Sequence, residues 1–139
     1  MVPANPPQER RALSRFSVTG FAVDIRIQGR LARLRAEAVD FNRHGMAVLT
    51  ETPLKERKNV YLTLRVGDDL RLDNLHGVVH NCCTHEGRFR CGIRFRTHTA
   101  LQTDKALVEA VLTRMEGVAM SQEAQTLTGD HPLVTTGRG

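Results

Sequence analysis

Three arginines near the start of the chain, Arg10, Arg11 and Arg15 in QERRALSRF, follow PANPP, a run that cannot nucleate a helix and has too little apolar character to be buried. A guanidinium presents a planar fork that suits phosphate oxygens and the O6 and N7 edge of guanine, and it also stacks on a purine face; lysine does neither as well. The segment therefore reads as a flexible arm whose cations close over an anion. A second group lies in VDFNRHGMAV, residues 39–48, where Asp40, Asn42 and Gly45 sit at a turn between two apolar runs. Asp40 can accept from the ring N1–H and exocyclic amine of a guanine. Gly45 permits a backbone conformation and a close ligand approach that a side chain would block. Together the two groups have the chemistry of an anion and nucleobase site.

The elements that must position these residues follow from periodicity. Phe21, Val23, Ile25 and Ile27 alternate with polar or small residues, as do Leu34, Ala36 and Ala38, with QGR between them as a turn. Val60, Leu62, Leu64 and Val66 alternate again, and GDD at 67–69 turns the chain into LRLDNLHGVVHNC. After THEG at 84–87, Phe89, Cys91, Ile93 and Phe95 share one face, and Arg88, Arg90, Arg94 and Arg96 share the other, which reads as a solvent face. With the short apolar run MAVLT at 46–50, six strands result, joined by short connections, so they pair antiparallel; closing them into a barrel removes the exposed edges. The expected fold is all-β, a six-stranded antiparallel β-barrel with a C-terminal packing α-helix. That helix is carried by Leu107, Val108, Val111, Leu112 and Met115 at three- and four-residue spacing, with Thr103 as cap and Asp104 in the first turn. Composition divides the chain into a flexible segment at 1–8, one domain at 9–116, and from Gly117 a tail expected to be disordered over 117–139.

The chain has 139 residues, enough for one core, with 40% hydrophobic residues, only 4% aromatic and no Trp, so the core is expected to be aliphatic. A net charge of +5 attracts an anionic partner without choosing among nucleic acid, a phosphate ester and acidic protein. Five Phe and one Tyr fall mostly on core positions and leave no stacking platform for nucleic acid. His80, Cys82, Cys83, His85 and Cys91 raise the question of zinc, but adjacent cysteines on a strand point to opposite faces and no C-x-x-C pair exists. No nucleophile with a base at a recognisable spacing, Gly-rich phosphate loop or paired carboxylates mark an enzyme. No run reaches the apolar length of a membrane span and no secretory leader is visible, so the expectation is a cytoplasmic protein with reduced thiols.

Arg11-x-x-x-Arg15 followed by Asp40-x-Asn42-x-x-Gly45, in a chain that also carries HGVVH, RFRCGIRF and a closing helix over roughly residues 9 to 116, resembles the PilZ domain family, the bacterial receptor module for cyclic di-GMP. The resemblance implies a binder with no cofactor and no catalysis. Arg11 and Arg15 would grip phosphate and guanine, and Asp40, Asn42 and Gly45 would hydrogen-bond a guanine base from the barrel surface. A basic residue before the first motif arginine, here Arg10, implies an intercalated ligand dimer. His80 falls where the family often has an aromatic near the ligand; it either stacks on guanine or is a surface strand histidine. One departure is Asn42, where the family usually has Ser. The partner implied is an effector protein that reads the liganded surface, with pathway and oligomeric state left open; the alternative is a degenerate PilZ-like barrel acting as a ligand-independent interaction module.

Overall fold

The structure, a computed structural model, describes residues 15–97 and 105–129. Its strands are β1 (Phe16–Ser17), β2 (Phe21–Ile27), β3 (Arg33–Asn42), β4 (Gly45–Thr50), β5 (Asn59–Val66), β6 (Leu70–His85) and β7 (Arg88–Phe95), followed by helix α1 (Lys105–Gly129). Every pairing is antiparallel, in the order β1-β3-β2-β5-β6-β7-β4, and β4 pairs back onto β3 to close a six-stranded barrel. The expected all-β barrel with a C-terminal helix is thus the observed one. The hairpins form where turn chemistry places them. Glu86 (φ 50°) and Gly87 (φ 84°) make a two-residue loop with His85 opposite Arg88, the doubly left-handed geometry that matches strand twist.

The alternating apolar residues of β2 and β5 point inward, and Val23, Ile25, Val60 and Leu62 are fully buried. The core is aliphatic apart from one aromatic cluster: Phe41 packs against Phe21 and Phe95 with ring centroids 5.3 and 5.7 Å apart, in the tilted arrangement aromatic pairs favour.

Three features depart from the expectation. First, β1 is a seventh strand outside the barrel. It pairs with β3 at Phe16↔Phe41 and Ser17↔Asp40, on the edge whose other half β2 occupies, because β4 takes the opposite edge. The turn between β1 and β2 includes Gly20 at φ 76°. Second, the helix runs through Gly117 to Gly129, where composition pointed to a tail. Ser, Gln and Thr are indifferent rather than hostile to helix, and tertiary contacts decide: Ala119 is buried, and Gln122 grips the backbone of Thr19, accepting its N–H at 3.0 Å and donating to its carbonyl at 2.9 Å. Third, Leu112, Met115 and Ala119 are buried and Val108 and Val111 half-buried, whereas Leu107 is exposed because it lies on the flank of that stripe. Arg10 and Arg11 and the expected cap at Thr103 and Asp104 lie outside the described residues.

Of the three register shifts in the barrel, two decide which side chains face outward near the site. In β3 the register passes from Ala38↔Val48 to Asp40↔Ala47, leaving Val39 as the extra residue. Before it the even-numbered Ala36 and Ala38 are inside; after it Phe41 is inside and Asp40 is turned to the surface. An unbroken strand would have driven the Asp40 carboxylate into the core. In β6 the register passes from Val79↔Ile93 to Asn81↔Gly92, so His80 is the unpaired residue. The Asn81 side chain repairs the ladder there by accepting the Gly92 N–H at 3.0 Å.

Candidate functional site

Asp40 is the hub. Its Oδ1 accepts the N–H of Ala47 at 3.0 Å, which fixes the carboxylate against β4. Two guanidiniums converge on it: Arg15 lies 3.6 Å from Oδ1, and Arg90 donates to Oδ2 at 3.2 Å. Arg15 is there because β1 docks on the C-terminal half of β3: the Phe16↔Phe41 register brings it level with Asn42, from where its guanidinium reaches diagonally back to Asp40. Arg90 was read as part of a solvent face. It instead reaches Asp40 across β4, and its neighbour Arg88 donates to Glu37 at 2.9 Å. Which strands become neighbours in the closed barrel is a long-range fact, and no local pattern in the arginine run reports it.

Asn42 is nearly buried, and its Oδ1 accepts the N–H of His44 at 2.7 Å and of Gly45 at 3.0 Å. The side chain thereby closes the β3–β4 turn as an Asx turn. Gly45 does not adopt a left-handed conformation. A Cβ at this position would stand 2.5 Å from the carbonyl oxygen of Ile93, so the close approach that glycine permits is that of β7 itself. This differs from the expected approach of a ligand, and it sets the strand spacing under the site.

Arg15, Asn42, His44, Gly45, Arg94 and Phe95 line a surface cleft of about 350 Å³. Arg15 and Arg90 converge on the single carboxylate of Asp40, and the cleft itself is lined, among the described residues, by Arg15 and Arg94 with no acidic side chain, so it carries a surplus of positive charge. His80 is exposed on its bulge and lines a neighbouring groove with Arg57, Arg94 and Arg96; Arg94 is common to both depressions. The structure thus brings together Arg15, Asp40, Asn42 and Gly45, and places His80 beside rather than among them. Sequence reasoning missed Arg90, Arg94 and His44 as members of the site. His44 follows from its place inside the D-x-N-x-x-G turn; the two arginines follow only from the barrel register.

The turn is also tied to the helix. Glu116 accepts the N–H of Arg43 at 3.0 Å, and its other oxygen lies 3.8 Å from the Arg43 guanidinium. A second cleft, lined by Arg43, His44, Phe95, Glu109 and Leu112 among others, separates this turn from α1. Among the described residues no three His, Cys, Asp or Glu side chains converge to hold a metal ion, and no helix is long and apolar enough to cross a membrane.

A closed barrel bearing a cationic surface cleft, with a helix fastened to the cleft's rim, has the build of a ligand-binding module. The chain belongs to the PilZ domain family, whose model matches residues 8–113. No curated protein matches the sequence. Among solved structures, YcgR from Escherichia coli in complex with c-di-GMP is 17% identical with a TM-score of 0.62, covering 84% of this chain and 48% of that one. The PilZ domain of YcgR with c-di-GMP, also 17% identical, gives a TM-score of 0.61 and covers 83% of this chain and 94% of that domain. MrkH of K. pneumonia in its apo state is 13% identical with a TM-score of 0.63, covering 81% and 50%. The chain therefore spans about half the length of YcgR and MrkH.

Proposed function

We propose that this domain is a cytoplasmic receptor for cyclic di-GMP. One observation carries the reading: the β1–β3 pairing sets Arg15, from the first family motif, within 3.6 Å of Asp40, from the second, at the mouth of a cleft that Asn42 and Gly45 also line. The ligands named for YcgR and for a MrkH complex support the choice of nucleotide. Arg15 is the more loosely held member of the hub. At 3.6 Å its contact with Asp40 is an ion pair without hydrogen-bond geometry, and partly exposed pairs of this kind contribute little, about 0–1 kcal/mol. A phosphodiester offers the same guanidinium a charge-assisted, bidentate alternative. Arg90 stays on Asp40 and keeps the carboxylate aimed, while the remaining lone pairs of Asp40 accept from guanine N1–H and the exocyclic amine. Arg10 and Arg11 complete the grip from the N-terminal side, and Arg10 favours an intercalated pair of ligands. In this reading His80, which lines a groove with Arg94, stacks on the outer base. Ordering of the N-terminal segment over the ligand then presents a new surface to an effector protein.

Isothermal titration calorimetry with cyclic di-GMP tests identity and stoichiometry together. Two ligands per chain are expected, and one per chain overturns the intercalated pair. The double variant R11A/R15A is expected to abolish binding; undiminished heat rejects the site. A second reading, a ligand-independent interaction module, draws on the occupation of the Asn42 oxygen by two backbone amides. It predicts no preference for cyclic di-GMP over GMP or a linear dinucleotide at high salt, where nonspecific electrostatic attraction is screened.

A further inference from the structure

The bulge at His80 has an effect on the opposite face of β6. Leu75, Gly77 and Val79 point into the barrel, and an unbroken strand would continue that parity to Cys83. The extra residue shifts the parity, so Cys82 turns inward and pairs directly across the ladder with Cys91 of β7, while Cys83 is exposed with its thiol near the Arg90 carbonyl. The Cys91 thiol donates to Cys82 Sγ at 2.8 Å. Directly opposed residues of an antiparallel pair have Cα separations of about 4.5–5.5 Å, within the range that a disulfide bridges, so closing the bond needs side-chain adjustment and no strand movement. The two sulfurs also differ in access. Cys91 is fully buried, whereas Cys82 is half-buried and is the sulfur a small oxidant reaches.

We infer that Cys82 and Cys91 form a reversible oxidation site, a cross-strand dithiol that hydrogen peroxide converts to an intramolecular disulfide. The Cys82 thiolate attacks a peroxide oxygen; an S–O bond forms, the O–O bond breaks, and hydroxide leaves and is protonated to water. The sulfur of Cys91 then attacks the sulfenic sulfur; the S–S bond forms, the S–O bond breaks, and the departing oxygen takes the Cys91 proton and leaves as water. Two thiols lose two electrons in all, and one peroxide becomes two waters. Burial and the hydrogen bond to Cys82 push the Cys91 thiol up to about 11, so it is protected from direct attack and acts as the resolving partner. The bond lies across the strand pair that carries His80 and Arg90, one residue from Arg90 and two from His80, and so cross-links the strands that present the bulge and the guanidinium held by Asp40.

The test is titration of the native full chain with hydrogen peroxide, followed by alkylation and peptide mapping. Free thiols are expected to fall from three to one, with Cys83 alkylated, Cys82 joined to Cys91 within one chain, and dithiothreitol restoring all three. C83S is expected to leave the cross-link intact, because Cys83 faces solvent, and C82S is expected to abolish it. A Cys82–Cys83 bond, a link between chains, or oxidation that stops at sulfinic acid on Cys82 with Cys91 still reduced would overturn the inference. In guanidinium chloride the preference for Cys91 is expected to vanish; its survival there would show that the ladder does not select the pair, which also overturns the inference.

Discussion

Gly45→Ala probes the site where the structure is least forgiving. The new methyl would meet the Ile93 carbonyl oxygen at 2.5 Å, with the Arg94 Cα at 3.4 Å and the Ile93 carbonyl carbon at 3.5 Å. Ordinary contact begins near 3.4 Å, so the overlap is about 0.9 Å and all of it is against backbone. That backbone is held by the Gly45↔Arg94 and Met46↔Ile93 register and by the Phe95 N–H donated to His44 at 2.8 Å, so relief means prising β4 from β7. Overpacking of this kind costs about 1–3 kcal/mol, and weakening a ladder bond adds about 1 kcal/mol. The restricted unfolded chain returns roughly 0.4–1 kcal/mol. The net expectation is a loss of about 2 kcal/mol, read as a lower urea midpoint at unchanged slope. Binding of cyclic di-GMP should fall with it, because the β3–β4 turn is displaced. A variant as stable as the parent that has nonetheless lost binding would refute the strand-spacing argument and return Gly45 to the role of direct ligand neighbour.

Gly117→Ala is the opposite case: the position is exposed, inside α1, with nothing near an added Cβ, so a gain of about 0.8–1 kcal/mol in thermal or urea unfolding is expected, and no gain would mean that the helix is not formed there. Asp40→Asn keeps an acceptor for the buried Ala47 N–H, whereas Asp40→Ala leaves it without one; the alanine variant is expected to be less stable by about 1–3 kcal/mol, and both to lose tenfold or more in cyclic di-GMP affinity by calorimetry. The raised Cys91 thiol gives a pH signature. The unfolded thiol ionises near its ordinary 9.0 while the folded one stays protonated to about 11, so the unfolded state binds fewer protons in that window and stability falls as pH rises through it. The descent is expected to be up to roughly 2–3 kcal/mol between those values and to disappear in Cys91→Ala, measured by urea midpoints across pH.

Strand identity was legible because alternation is a local property: Val60, Leu62, Leu64 and Val66 are buried as their spacing requires, and the turns sit at QGR, GDD and EG. The two motif groups were legible as chemistry for the same reason. What could not be read were consequences of register. Phe16 and Ser17 are too short a run to declare a strand, yet their pairing with β3 brings Arg15 to Asp40. The bulge at Val39 leaves no compositional mark, though it decides that Asp40 faces outward. Arg90 joins Asp40 only because β4 inserts between β3 and β7. The length of α1 was misjudged because the grip of Gln122 on Thr19 spans most of the chain, and that anchoring outweighs a stretch of indifferent helix formers.

Two of the polar fastenings of α1 make it a brace between separate turns. Glu116 holds the turn after Asn42 and Gln122 holds the turn before Phe21, six residues apart and so about 9 Å along the axis. Toward Lys105 the helix continues for eleven residues, about 16 Å, and is held there as well, by the burial of Leu112 and Met115 and by the hydrogen bond that Thr97 Oγ1 donates to Glu109 at 3.3 Å. The brace therefore couples the turn that carries Arg43 to the turn that carries Thr19, so that neither shifts without the other or the loss of a hydrogen bond.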